Sequence, residues 1–243
     1  MPGDETGWRV RGENWWLWVF TNKEAVLYQL DKRRSREVVK RILGKKYQGI
    51  LGSDFYAGYN ELEALAKQRC IGHLLDELKK IQEKNKFSTG SSEGLFCENL
   101  KAVLKQTIEV WNEYHKGKRT LKDLQAEKEL AISEIVKLLL LPTEHKDICR
   151  IRKRIIKHNQ EIFTFLDNPL IEPTNNRAEP QLRPNVIMRK ITFGNRSDDG
   201  AENHQLIMSI MQTGLSNGIE PLDIFRALEA KSLTSYAELP RPP

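Results

Sequence analysis

Residues 35–54 read SREVVKRILGKKYQGILGSD. Ser35 is a capping residue type, and Val38, Val39, Ile42 and Leu43 share one broad helical face. Gly44 supplies the stop. Gly49–Ser53 is then a short apolar strand, and it runs straight into an acid, Asp54. Helix, buried strand, acid at the strand's C-terminal end is the order expected of an α/β sheet. Upstream, Trp15–Phe20 (WWLWVF) and Ala25–Leu30 are β-prone runs with Asn22-Lys23 between them, which predicts a hairpin. Trp8–Arg11 alternates ahead of Gly12 and predicts a further strand.

Downstream the pattern turns helical. Tyr59–Ala66 is expected as a short helix, with a brief element around Gln68–Ile71, and His73–Lys84 as an amphipathic helix. After a polar loop over Lys86–Gly94, Leu95–Tyr114 and Leu121–Leu141 read as two long helices, the second closed by Pro142. A further helix is expected from Glu144 to Leu166. Pro169, Pro173, Pro180 and Pro184 bracket the string TNNRAE (174–179); Gly194–Gly200 is turn-like and His204–Thr213 helical. The organisation expected is a first part of an α/β core over 1–85, a helical insertion over 86–168, the rest of the core over 169–230, and a loose tail over 231–243.

The chain has 243 residues, 39% hydrophobic and 30% charged, enough apolar material for a core. Its longest apolar run, Ile135–Leu141, already contains Lys137, so no membrane helix is expected. The start, MPGDET, lacks the basic-then-apolar pattern of a secretory signal. Three cysteines, Cys70, Cys97 and Cys149, are odd in number and far apart, which argues against a disulfide framework and for a reducing cytoplasm. Lys plus Arg exceed Asp plus Glu by six, a mild excess compatible with a nucleic-acid partner and with many plain proteins.

Among 33 acids, three have unusual settings. Asp54 follows a strand, Asp4 precedes the first strand group with Glu5 as its rival, and Glu179 ends the string NNRAE between prolines. Carboxylates gathered from distant segments repel one another unless divalent cations lie between them, and Mg²⁺ or Mn²⁺ prefers such oxygen ligands. Each acid is otherwise a solvated surface charge. Cys70-Ile-Gly-His73 offers two ligand types, but no second tight pair completes a zinc site, so Cys70 reads as a core thiol and His73 as a helix-start or surface residue able to sit near the acids and touch a phosphate. Two basic groups stand out. One is the outer face of the Glu144 helix, with Lys146, Arg150, Arg152, Lys153, Arg154, Lys157 and His158; the other surrounds Glu179, with Arg177, Arg183, Arg189, Lys190 and Arg196. Solvated helix face and phosphate contact are both open readings of the first.

The strings Asp4-Glu-Thr6, Trp15–Phe20, GILGSDFYAGYN (49–60), KQRCIGHLL (67–75) and PTNNRAEPQLRPNVIMRKITFGNRS (173–197) occur in an order that resembles the IS66 family of insertion-sequence transposases, in its catalytic DDE-type part. The resemblance implies an RNase H-like α/β fold: a mixed sheet with helices, interrupted by an all-helical insertion before the last acid. It implies that Asp4, Asp54 and Glu179 are catalytic and hold two Mg²⁺ (or Mn²⁺) ions. The implied reaction is phosphodiester cleavage at the ends of a DNA element, followed by strand transfer into target DNA. It implies DNA as partner, with Arg177, Arg183, Lys190, Arg150, Arg154 and Lys157 as candidate DNA contacts, and a homo-oligomer when active. Family proteins extend much further at the N-terminus, so the chain corresponds to an N-terminally truncated catalytic part. Asp76 and Pro180 stand where the family usually carries basic residues. A nuclease of the same fold, and an inactive DNA-binding or regulatory remnant, are the alternative functions.

Overall fold

In the computed structural model, which describes residues 1–88 and 90–229, the tryptophan-rich run becomes the middle strand of an antiparallel meander. Its strands are β1 (Gly3–Val10), β2 (Glu13–Thr21) and β3 (Val26–Asp31). Val10 pairs with Glu13, leaving Arg11-Gly12 as a two-residue turn. Both turn residues have positive φ, 54° and 80°, the twist a tight hairpin requires. At the second hairpin the Asn22 side chain accepts from the backbone N–H groups of Glu24 and Ala25 at 2.8 and 2.7 Å. That local bond is why asparagine suits the turn.

The chain divides into two compact units, Met1–Leu65 with the chain from Asn175 onward, and Ala66–Thr174. The expected tail over 231–243 lies outside the described residues.

In the first unit the meander has an apolar cluster on each face. Trp18 and Phe20 pack with Val38 and Val39 of α1 (Arg36–Leu43), with Leu51 of β4 (Lys46–Ser53), and with Tyr59. Trp8, Val10, Leu17 and Val19 pack with Ala178, with Leu182 of α8 (Glu179–Thr192), and with Ala201 and Met208 of α9 (Asp198–Ser216). β4 pairs with β5 (Glu63–Arg69) in a second, two-stranded sheet. The result is a mixed α/β fold with sheets flanked by helices. The expected helix over Tyr59–Ala66 is corrected: a single 3-10 turn at Ala57–Tyr59 is followed, after residues 60–62, by β5.

Both edges of the meander are covered. Along β3, the N–H groups of Leu30, Tyr28 and Val26 donate to the side chains of Gln205, Ser209 and Thr213 on α9, at 2.7, 2.9 and 3.0 Å. Two residues of strand and four of helix both advance about 6–7 Å, so the two rows stay in step. Along β1, outward carbonyls at Gly3, Gly7 and Arg9 accept from Asn175 Nδ2, Arg189 Nη1 and Asn195 N. α8 therefore runs beside β1 in the same direction. Gly194 lets the loop after α8 approach: its φ is +101°, and a Cβ there would lie 2.1 Å from the Arg9 carbonyl oxygen. Gly194→Ala is expected to cost about 2–3 kcal/mol, from forbidden φ and loss of this stitch. A shift in urea midpoint worth under 0.5 kcal/mol would contradict that account.

Within the second unit the described elements after β5 are helices: α2 (Ile71–Asn85), α3 (Ser92–His115), α4 (Leu121–Leu139), α5 (Lys146–Lys157), α6 (Asn159–Ile162) and α7 (Thr164–Asp167). α3 and α4 form the main pair, and α4 opens with a capping box between Thr120 and Asp123. The single helix expected from Glu144 to Leu166 is broken at His158 and Phe163. The Gln68 side chain bonds Ile162 O and Phe165 N at 2.8 and 3.0 Å, taking groups a continuous helix would have used. After the first unit's α9 comes α10 (Pro221–Glu229). No helix among the described residues is long and apolar enough to cross a membrane.

Candidate active site

β1 carries two adjacent acids, and strand alternation sends them to opposite faces. Asp4 pairs with Val19 and so shares the face of α8 and α9; Glu5 pairs with Trp18 and shares the face of α1. The side chain of Glu5 is fully enclosed. It accepts from Arg34 at 2.6 Å and from the Tyr59 hydroxyl. Burial pushes its carboxyl above the ordinary range. The Tyr59 bond opposes this, the Asp54 charge adds to it, and Arg34 opposes it again. Arg34 is further held between Trp16 and Tyr56, 4.6 and 4.0 Å from the ring centres.

Stability from Glu5 is thus fully present below its ordinary value of 4.5 and is lost as pH rises through the higher folded value. Glu5→Gln removes that loss. The variant is expected to gain on the parent protein as pH rises above 4.5, measured as urea midpoints. A gap that stays constant or moves the other way would contradict the assignment.

Asp54 is the first residue beyond β4. Its Oδ1 accepts from Tyr56 N at 2.9 Å, an Asx turn that leads into the Ala57–Tyr59 turn. Pro2 and Gly52 form a parallel bridge, and Gly52 N donates to Met1 O at 3.1 Å. Asp4 and Asp54 each stand two residues beyond that bridge, so the two strands carry them to the same level. The phenol of Tyr59, wholly buried, is pushed well above its ordinary range by burial, with the charges of Glu5, Asp54 and Asp4 all acting on it.

Glu179 is the first residue of α8, exposed, with Pro180 in the first turn where no N–H is missed. The segment before it is fixed by Asn175, which is 2% exposed and donates to Gly3 O, next to Asp4, at 3.1 Å. Asn175 O in turn accepts from Glu179 N. Asn175, Tyr59 and Arg34 went unmarked in the sequence. An asparagine opening NNRAE between prolines was the available signal for the first.

Of the candidate DNA contacts, Arg183 and Lys190 are exposed on α8 and Arg177 is half-buried just before it. On α5, Arg150 pairs with Glu77 and Asp147 at 3.1 and 3.0 Å, and Arg154 pairs with Glu77. Arg152 donates to the carbonyls of Leu138 and Leu141 at the end of α4. Lys153 and Lys157 are exposed. Cys70 is a buried thiol at the start of α2, with His73 half-buried in the first turn.

A model of the IS66 family of transposases matches residues 1–203. The chain belongs to that family. The IS66 match covers the whole meander, β4, the helical unit and α8. The curated relative "Uncharacterized protein y4qI" of Sinorhizobium fredii (strain NBRC 101917 / NGR234) is 22% identical over 238 residues, 86% of this chain and 42% of the relative. The chain therefore spans less than half the length of that relative. No solved structure matches.

Proposed function

We propose that the first unit is the catalytic core of a DNA transposase, RNase H-like in arrangement, with Asp4, Asp54 and Glu179 as its acids. The observation that carries this reading is the Pro2–Gly52 bridge, which levels Asp4 with Asp54 in a chain of the IS66 family. The strand order β3-β2-β1, with β4 alongside β1, supports it. The bond from Asn175 to Gly3, which anchors the start of α8 beside Asp4, supports it too.

The donor chemistry fits magnesium. Three carboxylates offer hard oxygens, and Glu5, the competing acid, is occupied by Arg34 and Tyr59. Asp4, Asp54 and Glu179 would hold such ions, which would supply positive charge to the oxygens of an in-line displacement at phosphorus. The protein's part is to hold the three carboxylates from rigid elements and to keep the scissile phosphate in line. Arg183 and Lys190 contact backbone phosphates, which positions a strand without reading its bases. In the first step water forms a new P–O bond and the element's 3′-oxygen leaves as a hydroxyl. In the second that hydroxyl attacks a target phosphate, and the target's own 3′-oxygen departs.

The test is Mg²⁺-dependent processing of labelled DNA carrying the element's ends together with unlabelled target. Joined strands support transposition, and cut strands alone support a nuclease of the same fold. Product that persists in Asp54→Asn and Glu179→Gln would refute the assigned acids.

A further inference from the structure

At the far end of β1 from Asp4, a groove of about 960 Å³ lies between the β1–β2 turn and the loop after α8, wholly inside the first unit. Its charged lining residues are all arginines: Arg9, Arg11, Arg189 and Arg196. Arg189 is committed, donating to Gly7 O across the floor. Arg9, Arg11 and Arg196 are exposed; outside the lining, Asp198 lies 3.4 Å from Arg11 and the exposed Glu13 also feels its charge. On the rim stands Phe193, 79% exposed and with φ +59°. A bulky side chain there is costly, because its Cβ crowds the backbone. Of the three non-glycine residues with positive φ among the described residues, Arg11 and Phe193 both line this groove.

An acid-free groove with arginines on its walls and an exposed ring on its rim suits a polyanion that also carries flat apolar faces. We propose that it binds a DNA strand whose bases are unpaired at that point, with phosphates on Arg9, Arg11 and Arg196 and one base stacked on Phe193. Arg9 lies five residues along β1 from Asp4, about 17 Å, and Arg189 lies ten along α8 from Glu179, about 15 Å. At about 3.4 Å per nucleotide, the rise of stacked DNA, the groove meets the strand roughly five nucleotides from the phosphate positioned beside the acids. This spacing rests on the proposed active site; the binding itself does not.

The experiment is fluorescence anisotropy of a labelled single-stranded oligodeoxynucleotide, and of its duplex, with the full chain in EDTA. Arg9→Ala with Arg196→Ala is expected to weaken single-strand binding about tenfold and to lower the salt slope by about 1.4, two phosphates' worth. Phe193→Asn is expected to weaken single-strand binding about tenfold without changing the slope, and to leave the duplex unaffected. Asparagine accepts positive φ, so this variant keeps the fold. Single-strand affinity within twofold of the parent protein in either variant overturns the proposal, as does an equal loss on the duplex. Because EDTA removes any need for an ion, loss of the cleavage reading leaves these results standing. Unchanged binding alongside intact cleavage removes the groove alone.

Discussion

Asp54→Asn is expected to lower Mg²⁺-dependent cleavage of end DNA by about a thousandfold or more, and Glu179→Gln to do the same. A carboxylate that holds a catalytic ion supports several kcal/mol of transition-state charge stabilisation, and each 1.36 kcal/mol is a factor of ten. The same substitutions are expected to leave the thermal midpoint unchanged or higher when no divalent ion is present. Asp54→Asn removes a charge that raises the carboxyl of Glu5 and the phenol of Tyr59, and Glu179→Gln alters an exposed side chain. Added Mg²⁺ then raises the midpoint of the parent protein and not of the variants, because an ion stabilises only a fold that binds it. A magnesium-induced shift that survives in Asp54→Asn would place the ion elsewhere, whatever the activity assay reports.

Glu161→Ala is expected to destabilise the helical unit by about 3 kcal/mol. Arg69, at the end of β5, has no side-chain exposure, and its Nε meets Glu161 Oε2 at 2.5 Å. His158 Nδ1 meets the same oxygen at 2.9 Å. Burial would push Glu161 up, yet the Arg69 guanidinium and His158 hold it below the ordinary carboxylate range. Removing one partner of a buried pair costs about 3–5 kcal/mol, because the other charge stays desolvated. Glu161 is 25% exposed, so the lower end applies. Replacing both residues, Arg69→Met with Glu161→Met, is expected to recover most of the loss. Urea denaturation followed by far-UV circular dichroism measures both. A single variant within 0.5 kcal/mol of the parent protein would show that the guanidinium stays compensated without Glu161.

The meander and the helix–strand–acid order were legible because they depend on neighbours in sequence. A dense β-prone run marks β2, Asn22 its turn, and Gly44 the end of α1. What escaped depends on partners far away. Asp4 and Glu5 could not be separated until the register of β1 was known, because alternation divides them without saying which face receives α8. The break at Phe163 is imposed by Gln68, nearly a hundred residues earlier. α8 was masked by prolines. Pro180 falls in the first turn, where it is harmless, and Pro184 sits inside the helix, where it usually is not. β5 is a strand of weak β-formers, EALAKQR, which pairing with β4 holds extended.

The row of Gln205, Ser209 and Thr213 against β3 has a consequence for synthesis. A ribosome completes Leu30 long before it reaches Gln205. At about 5–20 residues per second the interval is on the order of ten to thirty seconds. Throughout it the nascent hairpins show an uncovered strand border and a greasy tryptophan-bearing surface, the combination that invites one growing chain to zip onto another. Translation of the α9 codons closes that window, so a message broken just upstream of them would yield polypeptides prone to aggregate.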